Sequence, residues 1–356
     1  MYRILVMNPG STSTKVALFQ DEDCIFSESL PHSTNTLAKF ASMVDQFEFR
    51  LESIRSILQQ KQVALETIDA FVGRGGLLKP IPSGTWVIDE KMLHDLRLAK
   101  YGEHASNLGA ILAFELAKPD QRPSFIVDPV VVDELCNLAR YSGHPLLPRK
   151  SIFHALNQKA VARKMATLLD KPYEQLNLIV AHMGGGISVA SHQQGGVIDV
   201  NNALDGEGPF SPERSGTVPV GDLVRLCFSS KYDEQTIKKM IKGRGGLVAY
   251  LNSNDVRAIQ ADIDNGDEKA REILEAMAYQ VSKEIASHAA VLKGSIDAIA
   301  LCGGLAFNHS FIEWIKDRIS FLAPVHVFAG EEEMQALALG VLRVLKNEEA
   351  AKRYNG

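Results

Sequence analysis

Two glycine-bearing turns, each preceded by a short apolar run, are where this sequence concentrates its chemistry. The first is Asn8-Pro9-Gly10-Ser11-Thr12-Ser13-Thr14-Lys15, after Ile4 to Met7. The second is His182-Met183-Gly184-Gly185-Gly186-Ile187-Ser188, after Leu178 to Ala181. Backbone N–H groups exposed in a tight turn form a concavity for anions, and glycine lets a phosphate approach the main chain. Around the first turn Asn8, Ser11, Thr12 and Ser13 add neutral donors and Lys15 a point charge. Around the second, His182 stands beside Gly184, Gly185 and Gly186. One such turn alone is an ordinary hairpin; two in register suit a polyphosphate. The pattern G-x-x-x-x-G-K-[ST] is absent, which excludes a P-loop enzyme. A third stretch, Gly303-Gly304-Leu305-Ala306-Phe307-Asn308, follows an apolar strand and opens a helix. That geometry suits a nucleotide ribose or phosphate at a helix N-terminus.

Charged residues near these turns extend the reading. Arg74, between glycines directly after an apolar strand, can reach out of a sheet end toward a carboxylate or phosphate, which its planar fork matches. Arg214 occupies a small-residue loop, Ser211 to Thr217, and can do the same. The tetrapeptide Gly-Arg-Gly-Gly recurs at Gly243 to Gly246 after Lys-rich helical text, so Arg244 reads as a loop residue. His154 opens a helix and His182 ends a strand; a lone histidine is more often structural, and His182 beside a phosphate turn is the better candidate. No H-x-x-x-H or H-E-x-x-H spacing supports zinc. Asp128 after Ile126-Val127, and the run Glu331-Glu332-Glu333, are carboxylates able to hold Mg²⁺, which takes one or two carboxylates and keeps several waters. Three consecutive glutamates are more often a solvated helix start, favoured by the helix dipole.

The elements that must position these residues come in pairs. Ile4–Met7, Thr12–Phe19 and Cys24–Ser29 read as three strands; Leu178–Ala181, Ile187–Ala190 and Val197–Val200 repeat the figure. Ile68–Leu77 matches Ile296–Leu305, each an apolar strand running into a Gly-Gly turn after helix-period text at Leu37–Gln60 and Lys269–Leu292. A weaker pair is Phe125–Asp128 and Val325–Phe328. Helical text also covers Leu156–Asp170 and Met334–Lys352. Matched segments in the same order imply an internal duplication of α/β domains, each a mixed sheet with crossover helices. Two such domains would face each other across a cleft, with the turns at strand ends where open α/β sheets bind ligands.

Composition narrows the classes. The 356 residues are 46% hydrophobic and 23% charged, with a formal net charge of −5 and no basic stripe, which excludes a nucleic-acid binder. Four cysteines, Cys24, Cys136, Cys227 and Cys302, form no C-x-x-C pair and read as reduced thiols. No apolar run approaches the ~20 residues that span a bilayer, and Ile4–Met7 is too short for a signal-peptide core. The expected location is the cytoplasm.

These residues resemble the acetate and butyrate kinases. Asn8 to Lys15 is similar to the acetate kinase signature N-x-G-S-S-S-x-K, and His182 to Ser188 to the second signature H-L-G-N-G-S-S. The resemblance runs through Arg74, His104, Asp128, His154, His182, Arg214, Gly303-Gly304 and the glutamate run, in order. Gly-Arg-Gly-Gly-Leu at Gly73 to Leu77, where acetate kinases carry H-R-V-V-H-G-G, and Gly185, where they carry Asn, resemble the butyrate kinase version. The resemblance implies duplicated actin-like ATPase (ribonuclease H-like) domains, each with a mixed five-stranded sheet. It places the N-terminal domain at 1–140 with a returning helix at 334–356, and the nucleotide-binding domain at 141–333. It implies ATP-dependent phosphorylation of butyrate or isobutyrate, with Mg²⁺ and a homodimer or higher homo-oligomer. Arg74, Arg214 and His154 would surround the transferring group, with His182, Gly184, Gly185 and Gly186 on the phosphates. Asn8, Asp128 and Glu332 would position Mg²⁺, Glu332 aligning best; Asp128 could instead orient an arginine. Gly303, Gly304 and Asn308 would lie by the nucleotide. The rival readings are a kinase for acetate or propionate, and an ATP-driven conformational switch as in actin, which would bind proteins through added segments.

Overall fold

The computed structural model describes residues 1–356. They form two compact units, Met1–Val132 with Glu332–Gly356, and Asp133–Glu331. The division falls eight residues before the boundary expected at 140/141, because residues 133–140 bond into the second unit. There the Cys136 N–H donates to Ile198 O, and Glu134 pairs with Lys159. The return falls at Glu332 rather than 334.

The first unit holds strands β1 (Arg3–Pro9), β2 (Ser13–Gln20), β3 (Asp23–Pro31), β4 (Ala70–Arg74), β5 (Thr85–Val87), β6 (Ser124–Val127) and, after the chain returns, β12 (Lys352–Arg353). Their order is β12-β5-β6-β4-β1-β2-β3. The five strands expected are all present, and the short β5 and β12 extend the sheet to seven. β1, β4 and β6 run parallel, while β2 and β3 are antiparallel neighbours. Strands covered on both faces read as continuous apolar runs, and Ile4, Leu5, Val6 and Met7 are all fully buried. Leu5, Met7, Phe71 and Ile126 share a core with the helices Phe47–Gln60, Glu90–Arg97 and Asn107–Ala117. Alternate residues point to the opposite face, and there Gly340 of the helix Glu333–Leu345 lies against Val127.

The second unit holds β7 (Asn177–Met183), β8 (Ile187–Gln193), β9 (Gly196–Val200), β10 (Ala298–Gly303) and β11 (Val325–Ala329), in the order β11-β10-β7-β8-β9. Position for position, with the same parallel and antiparallel pairings, this repeats β6-β4-β1-β2-β3. Ile179, Ala181, Ile299 and Leu301 pack against the helices Glu268–Val291 and His309–Ile319. Leu178, Val180, Ala300 and Cys302 face the helix Ala155–Leu168.

One expected element starts late. Helical text from Leu37 yields one helical turn at Thr34–Leu37, a 3-10 turn at Val44–Gln46 and the long helix only from Phe47 to Gln60. Ser42 and Asp45 mark the new start: the Ser42 N–H donates to Asp45 Oδ2 and the Asp45 N–H to Ser42 Oγ, a reciprocal capping box just ahead of the turn that leads into the helix.

Candidate active-site residues

In each unit the carboxyl ends of three parallel strands carry several of the candidate side chains. In the first, Met7 pairs with Gly73 and Arg74 with Val127, so Asn8, Arg74 and Asp128 end up along one edge. Asn8 Nδ2 donates to Glu333 Oε2 at 2.7 Å. Arg74 Nη1 lies 2.7 Å from Glu333 Oε1 and 2.8 Å from Oε2, and 3.5 Å from Asn8 Oδ1. Both partners of the ion pair are partly exposed, so the pair remains open to a ligand.

Glu332, expected to approach the metal, is exposed at the N-cap position of the helix Glu333–Leu345 and makes no side-chain cap bond there. The helix begins one residue later, and that turns Glu333 toward Asn8 and Arg74. Asp128, nearly fully buried at φ +39°, accepts from the Gly84 N–H through Oδ1 (2.7 Å) and so anchors the loop before β5. Ser11, Thr12 and Lys15 are exposed at the β1–β2 turn. That turn is held from below by Arg50, itself fully buried. Its Nη1 donates to Ser13 O (3.0 Å) and Thr14 Oγ1 (2.9 Å), and its Nη2 to Ser11 O (3.4 Å). Sequence reasoning missed Arg50, because nothing local marks an amphipathic-helix arginine as interior.

In the second unit, His182 pairs with Cys302 across β7 and β10, and Gly303 with Ala329 across β10 and β11. His182 Nδ1 is 2.8 Å from Asn157 Oδ1, which also accepts from Cys302 Sγ at 3.2 Å. His182 Nε2 lies 3.2 Å from Glu331 Oε1, yet off the axis a hydrogen bond requires, and it is buried with no hydrogen-bond partner. Burying such a group unpaired is costly; because Asn157 Oδ1 only accepts, Nδ1 carries a proton, and Nε2 is left to accept from an incoming hydroxyl or, when it also carries a proton, to donate to an incoming oxygen. His154 stands at the N-cap position of the helix Ala155–Leu168, its side chain making no cap bond there and its ring stacked on His182, ring centroids 4.0 Å apart and planes at 22°. Its Nδ1 is 3.0 Å from Ser188 Oγ.

The turn between β7 and β8 is closed by a bond from the Gly184 N–H to Gly186 O (3.0 Å). Ser211 Oγ donates to Gly185 O (2.7 Å) and accepts from the Arg214 N–H (3.2 Å), tying the turn to the loop of Arg214. A Cβ on Gly186 would fall 1.9 Å from Arg214 Nη1, so the bare glycine is what lets the guanidinium lie on the turn. Arg214 Nη1 donates to Ala203 O at 2.6 Å, and burial lowers the Arg214 pKa from its usual value. Gly303 answers a different need. At φ +93°, with its missing Cβ 2.3 Å from Met183 O, it lets β10 end tight against β7.

A cavity of about 1050 Å³ opens in this unit, lined by Gly184, Gly185, Glu213, Gln260, Gly304 and Asn308 among others. Asn308 is the N-cap of His309–Ile319, its Oδ1 accepting from the Phe311 N–H (2.8 Å) and its Nδ2 donating to Gln260 (2.9 Å). Gly184, Gly185, Gly304 and Asn308 therefore share one cavity wall. Gly186 and Gly303 do not reach it; they act by making room for Arg214 and Met183. The volume is at the upper end of what small-molecule sites occupy.

No cluster of three or more His, Cys, Asp or Glu side chains able to ligate a metal is present. A lone carboxylate beside an amide, as at Glu333 and Asn8, fits Mg²⁺ that arrives on a nucleotide and keeps waters and phosphate oxygens as its other ligands.

Comparison with known proteins follows the same lines. Residues 137–338 match the model of the acetokinase family. The chain is 55% identical over 354 residues to butyrate kinase 1 of Clostridium acetobutylicum, covering 99% of this chain and 100% of that one. It is 54% identical over 353 residues to butyrate kinase 2 of the same organism, covering 99% of each. Among solved structures, acetate kinase of Porphyromonas gingivalis superposes with a TM-score of 0.82 at 20% identity, over 97% of this chain and 100% of that one. A propionate kinase from Francisella tularensis gives 0.75 at 19%, over 96% and 99%. At such identities the superpositions speak to the fold.

Proposed function

The chain belongs to the acetokinase family, and we propose that its reaction is the reversible transfer of the ATP γ-phosphoryl group to the carboxylate of butyrate or a branched acid of similar length. It is an ATP-dependent kinase with a carboxylate as acceptor. The single observation that carries the choice of acid is end-to-end identity of 55% with butyrate kinase 1.

The acceptor needs no general base. A short fatty acid has a pKa of about 4 to 5, near that of a glutamate side chain, and is ionised at neutral pH. The barrier lies in bringing that anion to an anionic phosphoryl group, and such transfers are catalysed by positioning and by stabilising charge on the equatorial oxygens. Arg74 holds the acceptor carboxylate. Arg214 and His154 donate to the transferring group. His182 and the main chain of Gly184, Gly185 and Gly186 bind the nucleotide phosphates, with Ser11, Thr12 and Lys15 as further donors. Gly304 and Asn308 flank the nucleotide, and Gly303 sets the shape of the strand end beside it. Asn8 and Glu333 would hold Mg²⁺, with Asp128 stabilising the neighbouring loop. When bound, the ion would offset negative charge on the nucleotide phosphates.

The test is a panel of straight and branched acids from acetate to hexanoate, with ATP, Mg²⁺ and hydroxylamine to trap the acyl phosphate. Hydroxamate formed well with butyrate or isobutyrate and poorly with acetate is the expected outcome. Hydroxamate only with acetate corrects the acid and keeps the chemistry; steady ATP hydrolysis with no hydroxamate overturns both. A cytoplasmic location and a homodimer belong to the same reading, checked by cell fractionation and light scattering. No helix is long and apolar enough to cross a membrane.

A further inference from the structure

We infer that Gln158, His192 and Tyr173 are positioning residues that fix His154 as the tautomer carrying its proton on Nε2, so that Nε2 is a ready donor to the transferring phosphoryl group. The inference rests on the role given to His154 above.

A continuous line of buried polar groups runs beneath the helix Ala155–Leu168, along the face of β8 that presents Ser188 and His192. Tyr173 Oη is 2.7 Å from His192 Nδ1, and His192 Nε2 is 3.0 Å from Gln158 Oε1. Gln158 Nε2 is 2.9 Å from Ser188 O and 2.8 Å from Ser188 Oγ. Ser188 Oγ is 3.0 Å from His154 Nδ1. Gln158, Ser188 and His192 are fully buried, so water cannot correct a mismatched pair.

One atom sets the direction of the whole line. Ser188 O is a backbone carbonyl and can only accept, so the amide atom facing it is the Gln158 NH₂ group. The Gln158 oxygen must then face His192, which donates from Nε2. Burial, reinforced by the charge on Lys159, pushes the His192 pKa well below its usual value and keeps the ring neutral. A neutral ring has one N–H, so Nδ1 accepts from the Tyr173 hydroxyl. At the other end, the two amide hydrogens of Gln158 go to Ser188 O and Ser188 Oγ. The Ser188 hydroxyl has Gln158 and His154 as its partners, and one of them is a donor. Its own hydrogen therefore goes to His154 Nδ1, which must be bare to accept it, so the ring's proton sits on Nε2. The opposite tautomer would leave the hydroxyl hydrogen buried without an acceptor, a penalty the protein avoids. The second ring nitrogen of a functional histidine is commonly fixed this way.

The test reads the tautomer directly in the full-length protein. Long-range ¹H–¹⁵N spectra of ¹⁵N-histidine-labelled protein, with the His154 signals identified by their loss in His154→Gln, report which nitrogen is protonated. The expected result is Nε2 protonated and Nδ1 bare. A wild-type Nδ1–H tautomer overturns the inference without touching the carboxylate kinase reading, which the hydroxamate assay decides separately. Gln158→Met keeps the volume and removes the bonds; it should yield mixed tautomers and a kcat lower by about 10- to 100-fold, with KM for ATP and acid within about 2-fold. Tyr173→Phe should shift the tautomer ratio less, and remains informative where Gln158→Met does not fold. Unchanged tautomer and kcat in both variants, folded by circular dichroism, also overturns it.

Discussion

The two units share a strand order and differ in what their strand ends hold. In the first, the edge is occupied by fixed charge: Arg74 locked to Glu333, with Asn8 on the same carboxylate. In the second, the corresponding edge carries stacked imidazoles and a glycine turn, and a cavity of about 1050 Å³ opens in the same unit. One scaffold thus carries fixed charge at its strand ends in one copy, and directional donors beside an open cavity in the other, the division of labour that the proposed reaction uses. The duplication conserves where side chains are presented and leaves their chemistry free to diverge, as expected when function resides in sites grafted on folds.

The sharpest way to break this contrast is to remove the fixed charge. Arg74→Ala should lower kcat/KM by about 10³-fold, measured by hydroxamate formation, with thermal unfolding near that of the parent. Gly303→Ala tests the other edge through shape. A Cβ 2.3 Å from Met183 O at φ +93° should cost about 3 kcal/mol of stability, read from urea unfolding.

Acid should act on the second unit. Burial lowers the His288 pKa to about 4, against an opposing field from Asp199 and with help from Arg149. The unfolded chain takes up the proton below its ordinary value of 6.5, while the folded chain resists it down to about 4. The stabilisation is therefore complete above 6.5 and is lost as the pH falls, reaching about 2 kcal/mol near pH 5. Trp314 lies in the second unit and Trp86 in the first, so urea unfolding of Trp86→Phe by fluorescence follows the second alone. His288→Gln should flatten the pH dependence.

The finest distinction lies between neighbouring glutamates. Glu333→Gln should weaken the apparent affinity for Mg²⁺ about 10-fold, whereas Glu332→Gln should change it by less than about 2-fold. Titration of activity with Mg²⁺ separates the two. Equal effects would mean the carboxylates are interchangeable.

Much of the fold was legible because buried strands announce themselves. Ile4–Met7, Leu178–Ala181 and Ala298–Leu301 are short apolar runs ended by turn residues, and their repetition exposed the duplicated plan. β5 and β12, three and two residues long, carry no such signal and depend on pairing and packing with residues distant in sequence. At the site, residue types in Gly-rich turns were readable, but partnerships were not. Asn8 meets a carboxylate 325 positions away, and no local pattern distinguishes Glu333 from Glu332; the helix start decides. Asn157 and Gln158 sit on a helix where asparagine and glutamine are unremarkable, and only the fold brings them to His182 and Ser188.

The run Glu331-Glu332-Glu333 has a consequence for how this gene can vary. Its outer members lie against different partners, His182 and the Asn8–Arg74 pair, while the middle one takes the N-cap position of a helix. Loss of any one of the three codons gives the same polypeptide, with two glutamates left for those two partners and no spacer to part them. A slip during copying of that repeat would thus leave net composition almost untouched and still shift the two remaining carboxylates against those partners, whereas exchanging the middle glutamate leaves both outer carboxylates in register.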